Sequence, residues 1–390
     1  MNIQRIQAAL AESGIDGWLF FDHHRRDPLA YRILGIADDI QPTRRWYYFV
    51  PASGQPRKLV HRIESRSLDG LPGDMAMYSS WTDQQNKLAG LLSGSSRVAM
   101  QYSPRCAIPY VSLVDAGTLE LVRGTGVEVV SSADLIQQFE ARWTKEQFQL
   151  HVEAGKLVDG VRKDAFELIA EKLRSATHVT EYEVQQFIRQ RFAKLGLITD
   201  HGPIVAVNAN ASDPHYEPSR DRTAHIQAGD SVLIDLWAKL AQPNAVYYDV
   251  TWTGFCGGDV PPQIQRVFEI VRDARKRASR FAISRASSGE QFAGYEVDDA
   301  ARDYITQQGY GEFFFHRTGH SIGTDVHGTG ANMDNLESHD ERRVIPGSCF
   351  SVEPGIYLSE FGIRSEVNVY VGERFAEVTG EEQEQMVRVV

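Results

Sequence analysis

Ile3, Ile6, Ala9 and Leu10 recur at helical spacing and Gly14 ends the run, so the chain opens on a predicted helix. Apolar runs then predict strands at 17–22, 46–50, 58–61, 98–101 and 127–130, with a helix at 81–92 between two of them. Mixed strands and helices over about 140 residues predict an α/β domain with its own core. The aromatic run Trp46-Tyr47-Tyr48-Phe49 is read as part of that core, and no polar cluster here suggests chemistry.

Near Arg142 the pattern changes. Thr144-Lys145-Glu146-Gln147 and Thr180-Glu181-Tyr182-Glu183 are capping boxes, each opening a helix. The first carries Leu150, Val152, Leu157, Val158, Val161 and Phe166; the second runs through Val184, Phe187, Ile188 and Phe192 to Gly196. The expected organisation is two domains, 1–142 and 143–390.

The second domain nearly repeats itself. Ala228-Gly229-Asp230-Ser231-Val232-Leu233-Ile234-Asp235 aligns with Pro346-Gly347-Ser348-Cys349-Phe350-Ser351-Val352-Glu353: a glycine turn, an apolar strand, then an acid. A second acid follows at similar spacing, Asp249 in the strand expected at 246–253 and Glu366 in the strand expected at 363–371. Helices precede the later strands, at 261–287 and 295–308. Two related α-then-β halves predict a pseudo-twofold domain whose strands form one curved antiparallel sheet.

Composition narrows the classes. Apolar residues at 42% and charged residues at 24% describe a globular protein, and the net charge of −11 argues against a general binder of nucleic acid or anionic membrane. Cys106, Cys256 and Cys349 are too few and scattered for a disulfide framework or a thiolate zinc site. The first six residues lack the apolar core of a signal peptide, and no run reaches the ~20 apolar residues of a membrane span. A cytoplasmic location is expected.

Candidate chemistry concentrates at Phe315-His316-Arg317-Thr318-Gly319-His320-Ser321-Ile322-Gly323-Thr324-Asp325-Val326-His327-Gly328. Imidazoles are common metal ligands and acid/base groups, and glycines let backbone approach a ligand. A histidine-rich surface loop is the plain alternative, and the carboxylates decide between them. A single acid at a strand end faces solvent or pairs with a neighbour such as Arg364. Four at repeat-related positions would repel one another without cations. Oxygen-rich ligation with one imidazole suits Mn²⁺, Co²⁺, Fe²⁺ or Zn²⁺, and enough acids are present to bridge two ions ~3.5–4 Å apart.

The order Asp235, Asp249, His320, Glu353, Glu366 resembles the metallopeptidases of the pita-bread fold. So do the local motifs Leu233-Ile234-Asp235-Leu236, Asp249-Val250-Thr251, Gly319-His320-Ser321-Ile322-Gly323, Asp325-Val326-His327, Val352-Glu353-Pro354-Gly355-Ile356-Tyr357 and Gly362-Ile363-Arg364-Ser365-Glu366. The first domain is similar to the one preceding the catalytic domain in aminopeptidase P, prolidase and creatinase. The resemblance implies an α+β protein: a creatinase-like α/β domain followed by a pita-bread domain.

It also implies two divalent metal ions, Mn²⁺ first, with Co²⁺, Fe²⁺ or Zn²⁺ as alternatives. Asp235 would hold one ion, His320 and Glu353 the other, and Asp249 and Glu366 both. A bridging hydroxide would attack the bond before proline, at the N-terminus of a peptide or in a dipeptide, with Glu353 shuttling the proton. His327 and His215 resemble histidines that polarise the carbonyl, and His316 would line the pocket beyond the scissile bond. Tyr357 is carried as a pocket residue. Arg364 would sit near Glu366 or contact a substrate carboxylate. A homodimer through the first domain is implied, with no nucleic-acid or membrane partner.

Departures from the family pattern fall beside the ligands. Trp237 stands where glycine is usual, Trp252 replaces a common arginine, and Val367 replaces an acid; the segment 239–245 is long for a tight hairpin. These leave open a small non-peptide substrate, handled by a creatinase-like hydrolase or a lyase. A catalytically silent binding module is the third reading, and the complete ligand set speaks against it.

Overall fold

The computed structural model describes residues 3–37 and 39–389, so Met1, Asn2, Asp38 and Val390 lie outside the described residues. The chain divides into two compact units, Met1–Glu140 and Ala141–Val390.

The first unit is a six-stranded sheet of β1 (Gly17–Asp22), β2 (Trp46–Pro51), β3 (Arg57–His61), β4 (Asp74–Tyr78), β5 (Arg97–Met100) and β6 (Glu128–Ser131), in the order β4-β3-β2-β1-β5-β6. β2 runs antiparallel to both neighbours, and the remaining pairs are parallel. Its helices are α1 (Ile3–Glu12), α2 (Pro28–Leu34), α3 (Trp81–Leu91), α4 (Ala116–Arg123) and α5 (Ala133–Glu140).

Alternation explains why the central strands read as continuous apolar runs. Trp18, Phe20, Trp46, Tyr48 and Val50 pack with residues of α1, α2 and α5, while Leu19, Phe21, Tyr47 and Phe49 pack with α3 and α4. A sheet covered on both faces needs apolar residues at every position. The aromatic run is core, as expected. β4 has no such signature because Met75 and Met77 point outward on an edge strand, 46% and 41% exposed.

The second unit opens with α6 (Lys145–Arg174) and α7 (Glu181–Lys194), and both expected capping boxes form, with Gln147 and Glu183 closing back on their N-caps. β7 (Leu197–Ile198), β8 (Ile204–Val207), β9 (Ser231–Leu240) and β10 (Tyr248–Phe255) follow. Then come α8 (Pro262–Ser288), α9 (Gly294–Gln307), β11 (Ser321–Ile322), β12 (Cys349–Val352), β13 (Gly355–Tyr357), β14 (Gly362–Arg364), β15 (Val367–Val371), β16 (Ala376–Thr379) and β17 (Val387–Arg388). The long 239–245 segment is accounted for by β9, which runs on to Leu240 and pairs there with β7.

Each half buries one strand face under its own helices. Val232, Ile234, Leu236, Tyr248 and Val250 pack with α6 and α7; Phe350, Val352, Val367 and Val369 pack with α8 and α9. The residues between them point to the opposite face, where Asp235, Asp249, Thr251 and Ser351 are found.

The expected single curved sheet is two sheets. β9 and β10 belong to one, β11-β12-β15-β16 to the other, and β13-β14 form a separate hairpin. β10 and β15 meet without a regular ladder. Glu366 N–H donates to Thr251 O at 3.0 Å, and the Asn368 side chain accepts from Asp249 N–H at 3.2 Å and donates to Asp249 O at 2.5 Å. The reason is a break in the expected strand 363–371: the chain leaves β14 at Arg364 and rejoins a ladder at Val367, with Glu366 in the gap.

Candidate metal centre

Four acids and one histidine converge where the two sheets meet. Asp235 lies mid-strand in β9 opposite Thr251 of β10, and Asp249 lies opposite Trp237. Glu353 follows β12 directly and Glu366 precedes β15 directly. His320 Nε2 lies 3.5 Å from Asp249 Oδ2 and 3.4 Å from Glu353 Oε1. Ligand atoms of Asp249, His320 and Glu366 all fall within 4.8 Å of one another.

The local chain explains how His320 arrives there. A Cβ at Gly319 would stand 1.9 Å from Ser351 O, so only glycine lets this segment lie so close against β12. His320 N–H donates to Ser351 Oγ at 2.9 Å and its Nδ1 faces Ser321 O at 3.2 Å, which turns Nε2 toward the acids. On α9, Asp298 accepts Thr318 N–H at 2.8 Å and the fork of Arg302, which also donates to Phe314 O and His316 O. This clamp fixes the loop ahead of His320.

Buried acids with structural work are saturated in this protein. Glu181 accepts Val207 N–H, Asn210 Nδ2, Tyr216 OH and Ala224 N–H, all within 2.9 Å, and so pins the loop that carries His215. The converging acids differ. Asp235 Oδ1, Asp249 Oδ1 and Glu366 Oε1 are buried and accept no hydrogen bond from any described residue. Leaving a buried carboxylate oxygen bare costs far more than satisfying it, unless a cation takes the place of a donor. Burial and the Asp235 carboxylate push Asp249 well above its usual range; burial, then Asp249, Glu353 and Asp235, do the same to Glu366. Burial also raises Glu353 and lowers His320, which leaves the imidazole neutral and able to ligate. Oxygen ligands and one neutral nitrogen, short of positive charge, fit divalent cations.

Arg364 brings a fixed positive charge in among the acids, near Glu366 as expected. Its Nη2 donates to Asp235 Oδ2 at 2.6 Å, Nη1 to Tyr357 OH at 3.0 Å and Nε to Thr251 Oγ1 at 3.1 Å. Thr251 Oγ1 donates onward to Glu366 Oε2 at 2.8 Å. With the fork spent inside the cluster, Arg364 organises the acids. Burial opposes its charge, but Tyr357, Asp235 and Glu353 hold it protonated.

Tyr357 is buried, and its hydroxyl lies between Arg364 and His316 Nε2, the latter at 2.7 Å. Burial and Arg364 push His316 down to about 3, so it is neutral. His327 stacks edge-on against His320 with ring centroids 4.4 Å apart. His320, and then burial, push it to about 2. His215 is exposed, and both it and His201 stand near enough for their charge to act on His327. Sequence reasoning missed Glu181, Asp298, Thr251 and Ser351, the partners that orient the site. Thr251 and Ser351 stood inside motifs read for their acids, and no local signal marked Glu181 or Asp298.

The profile of metallopeptidase family M24 matches residues 149–373. The chain belongs to metallopeptidase family M24. Among M24-related proteins, it is 30% identical over 245 residues to the Xaa-Pro dipeptidase of Pyrococcus furiosus, a match covering 62% of this chain and 64% of that one, just under two thirds of its length. It superposes on dipeptidase PepE from Mycobacterium ulcerans with a TM-score of 0.71 at 24% identity, covering 99% of this chain and 96% of that one. The prolidase from Thermococcus sibiricus gives a TM-score of 0.65 at 23% identity, with 99% and 98% covered. The architecture is the pita-bread fold expected from the order of the acids.

No helix among the described residues is long and apolar enough to cross a membrane. Of the three departures from the family pattern, Trp237 faces the site, two residues beyond Asp235 on the same side of β9. Trp252 lies instead on the helix-covered side, with the Arg162 guanidinium 3.5 Å above its ring, and Val367 is core.

Proposed function

We propose that this chain is a metal-dependent peptidase that cleaves the bond between a first residue and proline, in dipeptides or at the N-terminus of peptides. The observation that carries the reading is the set of bare, buried carboxylate oxygens of Asp235, Asp249 and Glu366 around His320 Nε2, in a chain of family M24. Asp235, Asp249, His320, Glu353 and Glu366 would hold two divalent ions, Mn²⁺ first. Bound there, such ions polarise a carbonyl and make water nucleophilic at neutral pH.

The chain's own groups do the rest. Glu353, raised by burial, is suited to take a proton from the attacking water and hand it to the leaving nitrogen. His327 and His215 sit together on one rim, and a neutral His327 N–H can donate to the carbonyl oxygen as it becomes an oxyanion. His316 and the exposed ring of Phe315, centred 5.2 Å from that of Tyr357, would line the pocket for the proline. Arg364 and Thr251 hold the acids in place. A homodimer through the first unit is part of the proposal, checked by sedimentation of the purified protein.

Trp237 favours a second reading, in which the same site acts on a small non-peptide amide. Its indole packs against the two hydrophobic clusters that hold Tyr216, Tyr247 and Val326, on the Asp235 face of β9. One experiment separates the readings. Purified protein loaded with Mn²⁺ or Co²⁺ is assayed on Xaa-Pro dipeptides, longer Xaa-Pro peptides and a panel of small amides, with and without chelator. Release of the first residue from Xaa-Pro substrates, abolished by EDTA and restored by metal, is the expected result. Full turnover by protein shown to be metal-free would overturn the metal-dependent mechanism, and turnover confined to small amides would favour the second reading.

A further inference from the structure

Glu366 sits where regular strand pairing lapses, after β14 and before β15. A side chain that holds a metal ion must nonetheless be fixed to within about 0.5 Å of its working place. Two fully buried side chains from outside the site reach the residues just ahead of it.

The first is Arg275, on α8. Its Nη1 donates to Ser365 Oγ at 2.7 Å and its Nη2 makes a long contact of 3.5 Å with Glu382, while Nε has no acceptor among the described residues. Burial opposes its charge; Glu382, Glu384 and Asp273 support it, and Arg272 opposes it. Val271, Ala274 and Ala278 lie beside it on the buried side of α8, and an apolar side chain would pack there without leaving a donor unmet. The guanidinium thus adds little to stability. What it adds is a fixed point for Ser365.

The second is Gln383. Its Oε1 accepts Thr253 N–H at 3.0 Å and its Nε2 donates to Thr253 O at 2.6 Å. Asn368 holds Asp249 in the same two-bond manner, and Glu366 N–H serves Thr251 O between them. Two amides and one backbone N–H therefore stand along β10 where a strand would otherwise pair. Thr253 passes the constraint on, because its Oγ1 donates to Arg364 O at 2.9 Å, two residues before Glu366.

We propose that Arg275 and Gln383 are positioning residues for the metal centre: acting through Ser365 and Thr253, they fix the gap between β14 and β15 and so the place of Glu366 relative to Asp249. This rests on the reading of Glu366 as a metal ligand.

Calorimetry measures Mn²⁺ binding to the wild type, Arg275→Met, Ser365→Ala, their double variant, Gln383→Met and Thr144→Ala, with circular dichroism to verify each fold and its unfolding midpoint. Thr144→Ala is the control: it removes the N-cap of α6 and should lower the midpoint while leaving Mn²⁺ affinity within about twofold. Arg275→Met, Ser365→Ala and Gln383→Met should each lose about tenfold or more in Mn²⁺ affinity, the scale on which partners of metal ligands act. The double variant should fall no more than about twofold below Ser365→Ala, because Arg275 acts through that hydroxyl. Should Arg275→Met or Gln383→Met not fold, Ser365→Ala or Thr253→Val decides that route. Unchanged affinity in folded variants of both routes overturns the proposal, as does an equal loss in the control. Loss on one route alone confines the role to that residue, and additive losses in the double variant overturn the route through Ser365. A wild type that takes up no Mn²⁺ overturns the metal centre itself; one that binds Mn²⁺ but cleaves no Xaa-Pro bond overturns the peptidase reading and leaves this test intact.

Discussion

Arg364 Nη2 donates to Asp235 Oδ2 at 2.6 Å across 129 residues of sequence, and both side chains are nearly sealed from solvent. The pair joins a β9 acid to the β14 hairpin, and through Thr251 it also reaches Glu366. A guanidinium can serve Asp235, Thr251 and Tyr357 at once because its donors diverge in one plane. Arg364→Lys keeps the charge and loses the fork. It should lower metal affinity or kcat by about 10–100-fold, with fold retained, as is usual when a partner of the ligands is removed. Metal titration and steady-state kinetics check this.

His320 and His327 meet edge to face but have different expected roles. His320→Ala should leave the protein metal-poor under conditions that load the wild type, read by elemental analysis. His327→Ala should keep its metal and lose about 10²–10³-fold in kcat, the typical loss when one oxyanion donor is removed. Metal loss in both variants would assign His327 to the metal-binding set.

His151 gives the fold an acid limit. It is fully buried, with Nδ1 2.7 Å from Tyr247 O and Nε2 2.7 Å from Thr379 Oγ1, and burial lowers it to about 4. The folded state keeps the ring neutral where the unfolded chain, near its ordinary value of about 6.5, takes up a proton. Its contribution is complete above about pH 6.5 and is lost as pH falls toward 4, by about 3 kcal/mol in all. Denaturant unfolding between pH 7 and 4 should show this slope, and His151→Gln should flatten it while lowering stability at pH 7.

Asp22 anchors the loop after β1. It is fully buried and accepts Arg25, Arg26 and Asp27 N–H and Tyr31 OH, with His24 and Arg25 held at positive φ. Asp22→Ala strands these donors and should cost about 2–3 kcal/mol in chemical denaturation. The metal site lies in the other unit, so metal affinity should not change.

Capping boxes at Thr144 and Thr180, the aromatic core run, most strands of the first unit and the acid-bearing strands of the second were legible because each depends on residues close in sequence. The repeat of glycine turn, strand and acid marked Asp235 and Glu353 for the same reason. β4, the short helices α2, α4 and α5 and the short strands β7, β8, β11, β13, β16 and β17 were not assigned, since two turns of helix or a few residues of strand carry little period. The break before Val367 was also hidden, because no glycine or proline interrupts Ile363 to Val371 and the segment reads as one continuous strand.

By itself, then, the sequence determined the two α-then-β halves and, through the order of its motifs, the family resemblance that nominates five ligands and sets His320 apart from its neighbouring histidines as an expectation. Tertiary structure alone decided where the charges point. It turned Arg364 inward to Asp235, left three carboxylate oxygens bare, saturated Glu181, and set Arg275 against Ser365. The physical reason is range. Strand alternation and capping act over a few residues and are written locally, whereas a hydrogen bond between side chains 129 positions apart exists only once two sheets have been brought together.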